Sequence, residues 1–173
     1  QSDYLTREFC DWCFNVNEWN YECGANGRGD NINFFNCIPP MLLDSKYQNI
    51  SKLTITYTKI TKIEYIPSKV KLLDLSCNQI EKIENIPNSV EYLDLESNKI
   101  KKIKNLPCNL STLRIHENQI SKLENLTNKL TSITFDVDKV NEYGDLSNLK
   151  TRITIPLGSN NNIYKIPIKN LEL

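Results

Sequence analysis

Three consecutive blocks of this chain lie over one another without a gap: IPSKVKLLDLSCNQIEKIEN (66–85), IPNSVEYLDLESNKIKKIKN (86–105) and LPCNLSTLRIHENQISKLEN (106–125). Each is 20 residues long, and each runs L-x-x-L-x-L-x-x-N-x-I-x-x-I with Val or Ile at some Leu positions. A fixed period in this range is the signature of a solenoid. One repeat cannot bury its own apolar face, so it stacks on neighbours that cover it.

The frame extends in both directions. Residues 46–65 keep Ile50, Leu53, Ile55, Ile60 and Ile63 in phase, and residues 126–145 keep Leu130, Ile133, Phe135, Val140 and Tyr143. A weaker coil over 146–165 retains Ile153, Ile155 and Ile163 but loses the Asn, and Ile166-Pro167 opens a seventh turn over 166–173. The organisation expected is therefore a non-repetitive cap at 1–45, six coils at 46–165 and a terminal fragment.

The residue types say how each coil is built. Leu73 and Leu75 alternate with polar residues, a period-two strand signal, and Val70 sits at the bend before them. Stacked coils would pair these strands into a parallel sheet with its inner face on the core. The Asn at 78, 98 and 118 follows each strand, and its amide can satisfy loop backbone groups otherwise buried without partners. Thr58 and Asp138 replace it at the ends of the array, where that ladder should weaken. Each coil leaves only some nine residues for the return, and a three-turn helix needs about 11. Pro67, Pro87 and Pro107 also oppose a helix, so the return should be extended or turn-like.

The pattern resembles the leucine-rich repeat family. The N-x-I-x-K-I-E-N segment is similar to the family's 22-residue repeats. The I-P-x-x-V step is similar to the 20-residue repeats of bacterial secreted effectors and to the I-P-N-S-V-type repeats of amoebae and giant viruses. The resemblance implies a right-handed α/β-class superhelix, with short parallel strands on a concave face and little or no helix on the convex side. It also implies a protein ligand held on the concave face.

The cap holds both tryptophans and four cysteines, Cys10, Cys13, Cys23 and Cys37. A segment this short lacks a core of its own, and two disulfides would staple it. Three pairings are open. Cys10-x-x-Cys13 also has zinc-ligand spacing, but a ribbon would need a second close doublet, which Cys23 and Cys37 do not form. Disulfides are favoured over metal. Extracellular members of the family commonly carry Cys-rich N-terminal caps, which implies a secreted or surface-displayed protein, with a cytoplasmic effector as the alternative. Cys77 and Cys108 fall on different sides of the coil, too far apart to bond to each other. The chain opens at Gln1 without a signal-peptide pattern and reads as a processed product or a trimmed chain.

Charge narrows the partners. With 21 basic and 21 acidic residues the net charge is zero, which disfavours nucleic acid as the main partner. No apolar run approaches the roughly 18–20 residues of a membrane span, so no membrane insertion is expected. Prolines 156 and 167 and lysines 165 and 169 would blunt edge pairing, giving a monomer or weak dimer rather than a self-assembling structural protein.

The recognition residues are those that differ between blocks at outward strand positions. They are Leu72 and Tyr92; Asp74, Asp94 and Arg114; and Glu96, His116 and Asp136. The alternative is a solvated sheet face with its own salt bridges. Arg28-Gly29-Asp30 resembles the integrin-recognition tripeptide, in what reads as a Gly-rich loop between cap cysteines, although turn chemistry alone accounts for the glycines. The lysines at 62, 82, 102 and 122, with Glu64, Glu84 and Glu124 beside them, read as a solvated convex face broken by Lys104. No cofactor or catalytic site is expected. His116 is the only histidine, and an open, wet face supplies none of the enclosure a general acid or base needs.

Overall fold

The computed structural model describes residues 24–28, 31–35, 48–146 and 152–154. They form a parallel β-solenoid whose wall is one eight-stranded sheet. In chain order the strands are β1 (Gly24–Arg28), β2 (Asn31–Phe35), β3 (Lys52–Thr56), β4 (Leu72–Asp74), β5 (Tyr92–Asp94), β6 (Thr112–Arg114), β7 (Lys122–Leu123), β8 (Ser132–Thr134), β9 (Glu142–Tyr143) and β10 (Arg152–Thr154). The large sheet runs β1-β2-β3-β4-β5-β6-β8-β10, and β7 pairs β9 in a second, two-stranded parallel sheet on the return side. From β3 onward every pairing in the large sheet is parallel and offset by one repeat: Leu53 faces Leu73, Leu73 faces Leu93, and Leu93 faces Leu113. No helix occurs among the described residues.

The repeated residues form the core. Leu73, Leu75, Ile80, Val90, Leu93, Leu95, Ile100, Leu110 and Leu113 are completely inaccessible, and Ile83, Ile103, Ile115 and Phe135 nearly so. Strand residues fill the core from one side and the Ile pair of the return fills it from the other. The I-P-x-x-V step is a tight turn: Val70 N–H donates to Pro67 C=O at 3.1 Å, and Val90 to Pro87 and Leu110 to Pro107 repeat it. Proline suits this position because the turn uses its carbonyl and not the N–H it lacks. The return is extended as expected, with Gln79 N–H on Ile60 C=O, Lys99 on Ile80 and Gln119 on Ile100, each at 2.9 Å.

Two asparagine ladders tie coil to coil. Asn98 Nδ2 donates to Leu75 C=O (3.0 Å), Leu95 C=O (3.1 Å) and Glu96 C=O (3.1 Å), while its Oδ1 accepts Ile80 N–H (2.9 Å). Asn78 and Asn118 make equivalent sets. The second ladder follows the return: Asn85 Nδ2 reaches Ile63 C=O at 2.7 Å and Asn125 Nδ2 reaches Ile103 C=O at 3.0 Å. Asn85, Asn105 and Asn125 also take left-handed backbone, with φ of 55–56°, which asparagine tolerates better than most residues.

Two details concern the start of the array. Thr58, in the Asn column, lacks the three carbonyl contacts of Asn78, Asn98 and Asn118 and joins the ladder only by donating its N–H and hydroxyl to Asn78 Oδ1, at 3.0 and 2.9 Å. Part of the Gly-rich segment of the cap, expected as loop, is strand, while Gly29 and Asp30 between the two strands lie outside the described residues. Gly24 to Arg28 pair antiparallel with Asn31 to Phe35, and β2 pairs parallel with β3, so the sheet runs on across residue 45.

Candidate recognition face

The outward positions of β4, β5 and β6 lie in register, so residues 20 apart in sequence become lateral neighbours: Leu72 beside Tyr92 beside Thr112, and Asp74 beside Asp94 beside Arg114. Neighbouring strands stand about 4.8 Å apart, close enough for side chains in one column to meet. Glu96, His116 and Asp136 follow the strand ends as a third column.

Their contacts form a network in which Arg114 Nε and His116 Nδ1 are buried without a hydrogen-bond partner. Arg114 Nε lies 2.9 Å from Asp94 Oδ2, and its Nη2 donates to Glu96 Oε2 at 2.6 Å. Glu96 Oε1 is 2.9 Å from His116 Nε2, so that nitrogen carries the proton and faces the carboxylate. Tyr92 hydroxyl points at Asp94 Oδ2 across 3.4 Å. The aspartates also shape their own strand ends: Asp74 Oδ1 accepts Ser76 N–H and Asp94 Oδ1 accepts Glu96 N–H, each at 3.0 Å. At the next coil Asp136 Oδ2 accepts Glu117 N–H at 2.8 Å and pairs with Lys139 at 3.0 Å.

The face is therefore not uniformly open and wet. Asp94 and His116 each retain 7% of their accessible surface and Thr134 retains 8%. Column spacing is the reason, because Arg114 lies over the neighbouring coil's carboxylates and the side chains tile the surface. Burial raises the Asp94 carboxyl above the usual range, with Asp74 and Glu96 adding to it. The Glu96 N–H and the Arg114 guanidinium oppose that shift without cancelling it. Tyr92 is raised as well, by burial first and then by Asp94. The Glu96 hydrogen bond holds the proton on Arg114 more firmly.

The sequence-derived residues thus divide in two. Asp94, Arg114, Glu96 and His116 are brought together, but they engage one another. Leu72, Tyr92 and Asp74 stay half-exposed, and Asp74 has no cation within 4.0 Å among the described residues. Tyr57, which variation in the strand columns does not single out, is 59% exposed just beyond the end of β3. A left-handed backbone (φ 56°) holds it there. The same left-handed conformation recurs at Cys77, Ser97 and Glu117, with φ of 54–56°. No residue type marks that column, so the sequence held no signal for it.

Arg28 ends β1 opposite Asn31, while Gly29, Asp30 and the cysteines 10, 13, 23 and 37 lie outside the described residues. Cys77 is half-buried, Cys108 is exposed, and both are free thiols.

No curated protein matches the chain. Residues 57–98, which span β4 and β5 and the Asn78–Asn98 rung of the ladder, match the family model of the FNIP repeat, a family of repeats about 20 residues long.

Proposed function

We propose that the chain is a leucine-rich-repeat-type recognition module that binds a protein partner through the outward face of its sheet, centred on Leu72, Tyr92 and Asp74. The observation behind this reading is the division of the face. The repeated positions build the wall, Arg114 pairs with Asp94 and Glu96, and an aromatic ring, a leucine and a carboxylate with no cation beside it stay side by side on β4 and β5. Aromatic residues dominate interface hot spots, and a lone acid beside one gives orientation to a partner's cation. The Cys-rich N-terminal segment supports a secreted or displayed protein with a disulfide-stapled cap.

The test is differential capture with two baits, the wild-type chain and a Tyr92→Ala/Asp74→Asn variant. Asparagine keeps the acceptor that Ser76 N–H uses, so the variant loses charge and ring but not the strand end. Proteins retained by the wild type and lost by the variant are the expected result. Identical capture by both baits removes the face from consideration. Intact mass with and without reductant decides the cap separately, because four free thiols there would leave secretion without support.

A further inference from the structure

The return side of the coils has a surface that the recognition face does not explain. In three coils the return carries a lysine two residues before a glutamate, and in two of them the pair closes: Lys62 with Glu64 at 2.8 Å and Lys122 with Glu124 at 3.0 Å. The coil after β5 reads Lys99-Ile-Lys-Lys-Ile-Lys104. Lys104 stands where the glutamate belongs, so Lys102 loses its partner and a cation is added. Ile100 and Ile103 are 0% and 1% exposed, and all four lysines project outward. Among the described residues no carboxylate lies within 4.0 Å of Lys101, Lys102 or Lys104. Lys82 and Lys122 occupy the Lys102 column on the coils to either side, about 4.8 Å away per step. Six lysines against Glu81, Glu84, Glu124 and Glu142, the last 3.8 Å from Lys122, leave a net charge of +2 on this surface of a neutral molecule.

We infer that this lysine row is a binding site for a linear sulfated polysaccharide. The row spans five residue steps, at most about 18 Å, along an open ridge. Basic clusters of this length read as polyanion sites. Lysine ammoniums are point charges that suit sulfates, and the row has no arginine to fork onto bases or phosphates. It also has no aromatic ring on which a nucleobase could stack, which separates it from a single-strand nucleic-acid groove. No apolar side chain is exposed among the lysines to enter a bilayer, since the intervening isoleucines are core. The acidic cluster of Asp74, Asp94 and Glu96 lies on the sheet, opposite the return, and repels a polyanion from that side.

The experiment is titration of the full chain with heparin at low and raised salt, alongside Lys101→Gln/Lys102→Gln/Lys104→Gln. Exposed substitutions of this kind leave the thermal midpoint unchanged, which circular dichroism verifies. The triple variant should bind about ten-fold more weakly or worse, with a shallower salt dependence. Asp74→Asn should bind as the wild type does, and desulfated heparin should not bind. Wild-type-like affinity in the triple variant overturns the assignment. So does absence of heparin binding by the wild type, or tighter binding to single-stranded DNA or phosphatidylserine vesicles than to heparin.

Discussion

Arg114 Nε sits 2.9 Å from Asp94 Oδ2, and this contact turns a carboxylate that looks like part of a ligand site into part of the wall. Asp94 retains 7% of its surface, and the same guanidinium goes on to Glu96. Removing Arg114 leaves a buried acid without its cation. Arg114→Ala is expected to destabilise the chain by about 1–2 kcal/mol, a value reduced from that of a fully buried pair because the guanidinium is partly solvated. Urea unfolding measures it, and a change within error would mean that Asp94 gains nothing from Arg114.

The raised Asp94 carboxyl has a definite sign in the pH dependence. Its folded pKa lies above the ordinary carboxyl value of 3.8, so the folded state holds this proton more tightly than the unfolded chain does. The contribution is fully present below 3.8 and is lost as pH rises through the folded value. Asp94→Asn lacks that loss. The stability of Asp94→Asn minus that of the wild type should therefore increase between pH 3 and pH 7 (roughly the window that linkage assigns). A flat difference, measured by urea titration at both ends, contradicts the burial argument.

The fold was legible because its determinants are local and repeated. Leu93 is a core residue in the sequence pattern and 0% exposed in the structure, and the I-P-N-S-V turn is visible as a step before any hydrogen bond is drawn. The face was harder to read. Position in a strand says that Asp94 points outward, but it does not say that a side chain one coil later covers it. That depends on Arg114 reaching sideways, which column spacing permits and composition does not reveal. The second asparagine ladder was within reach, since Asn85, Asn105 and Asn125 end each block at the same place. The left-handed column at Cys77, Ser97 and Glu117 was not, because backbone geometry imposes it on residues of unrelated chemistry.

Asn98 makes four hydrogen bonds, two within its own coil to Leu95 and Glu96 C=O and two to the coil before, to Leu75 C=O and from Ile80 N–H. Asn98→Asp keeps the shape but replaces the donor with an oxygen facing those carbonyls. It should cost about 3 kcal/mol or more, because buried acceptors are left unpaired beside a charge. Asn98→Ala should cost less, about 2 kcal/mol, since it adds no charge. Chemical denaturation ranks the two, and the reverse order would mean the amide serves mainly to fill space.

Gly144 follows β9, and a Cβ built on it would sit 3.0 Å from Glu124 Cβ and 3.4 Å from Glu124 Cα. The nearer atom belongs to a side-chain stem fixed by its own backbone, so relief requires the two coils to separate. Gly144 N–H donates to Leu123 C=O at 2.9 Å and would have to lengthen that bond. Gly144→Ala should destabilise by about 1 kcal/mol, and amide exchange at Gly144 should speed up.

Ser97 adopts φ 54°, a conformation that costs most non-glycine residues about 1 kcal/mol and β-branched residues more. Its N–H is committed to His116 C=O at 3.1 Å, so the backbone cannot relax without losing a rung between coils. The order of stability at this position should follow tolerance for left-handed backbone and not hydrophobicity. Ser97→Asn should be neutral or stabilising by about 0.5 kcal/mol, and Ser97→Val destabilising by about 1–2 kcal/mol. If Val proved the better residue in thermal unfolding, side-chain packing and not backbone conformation would govern the column. Its recurrence at Cys77 and Glu117 would then need another cause.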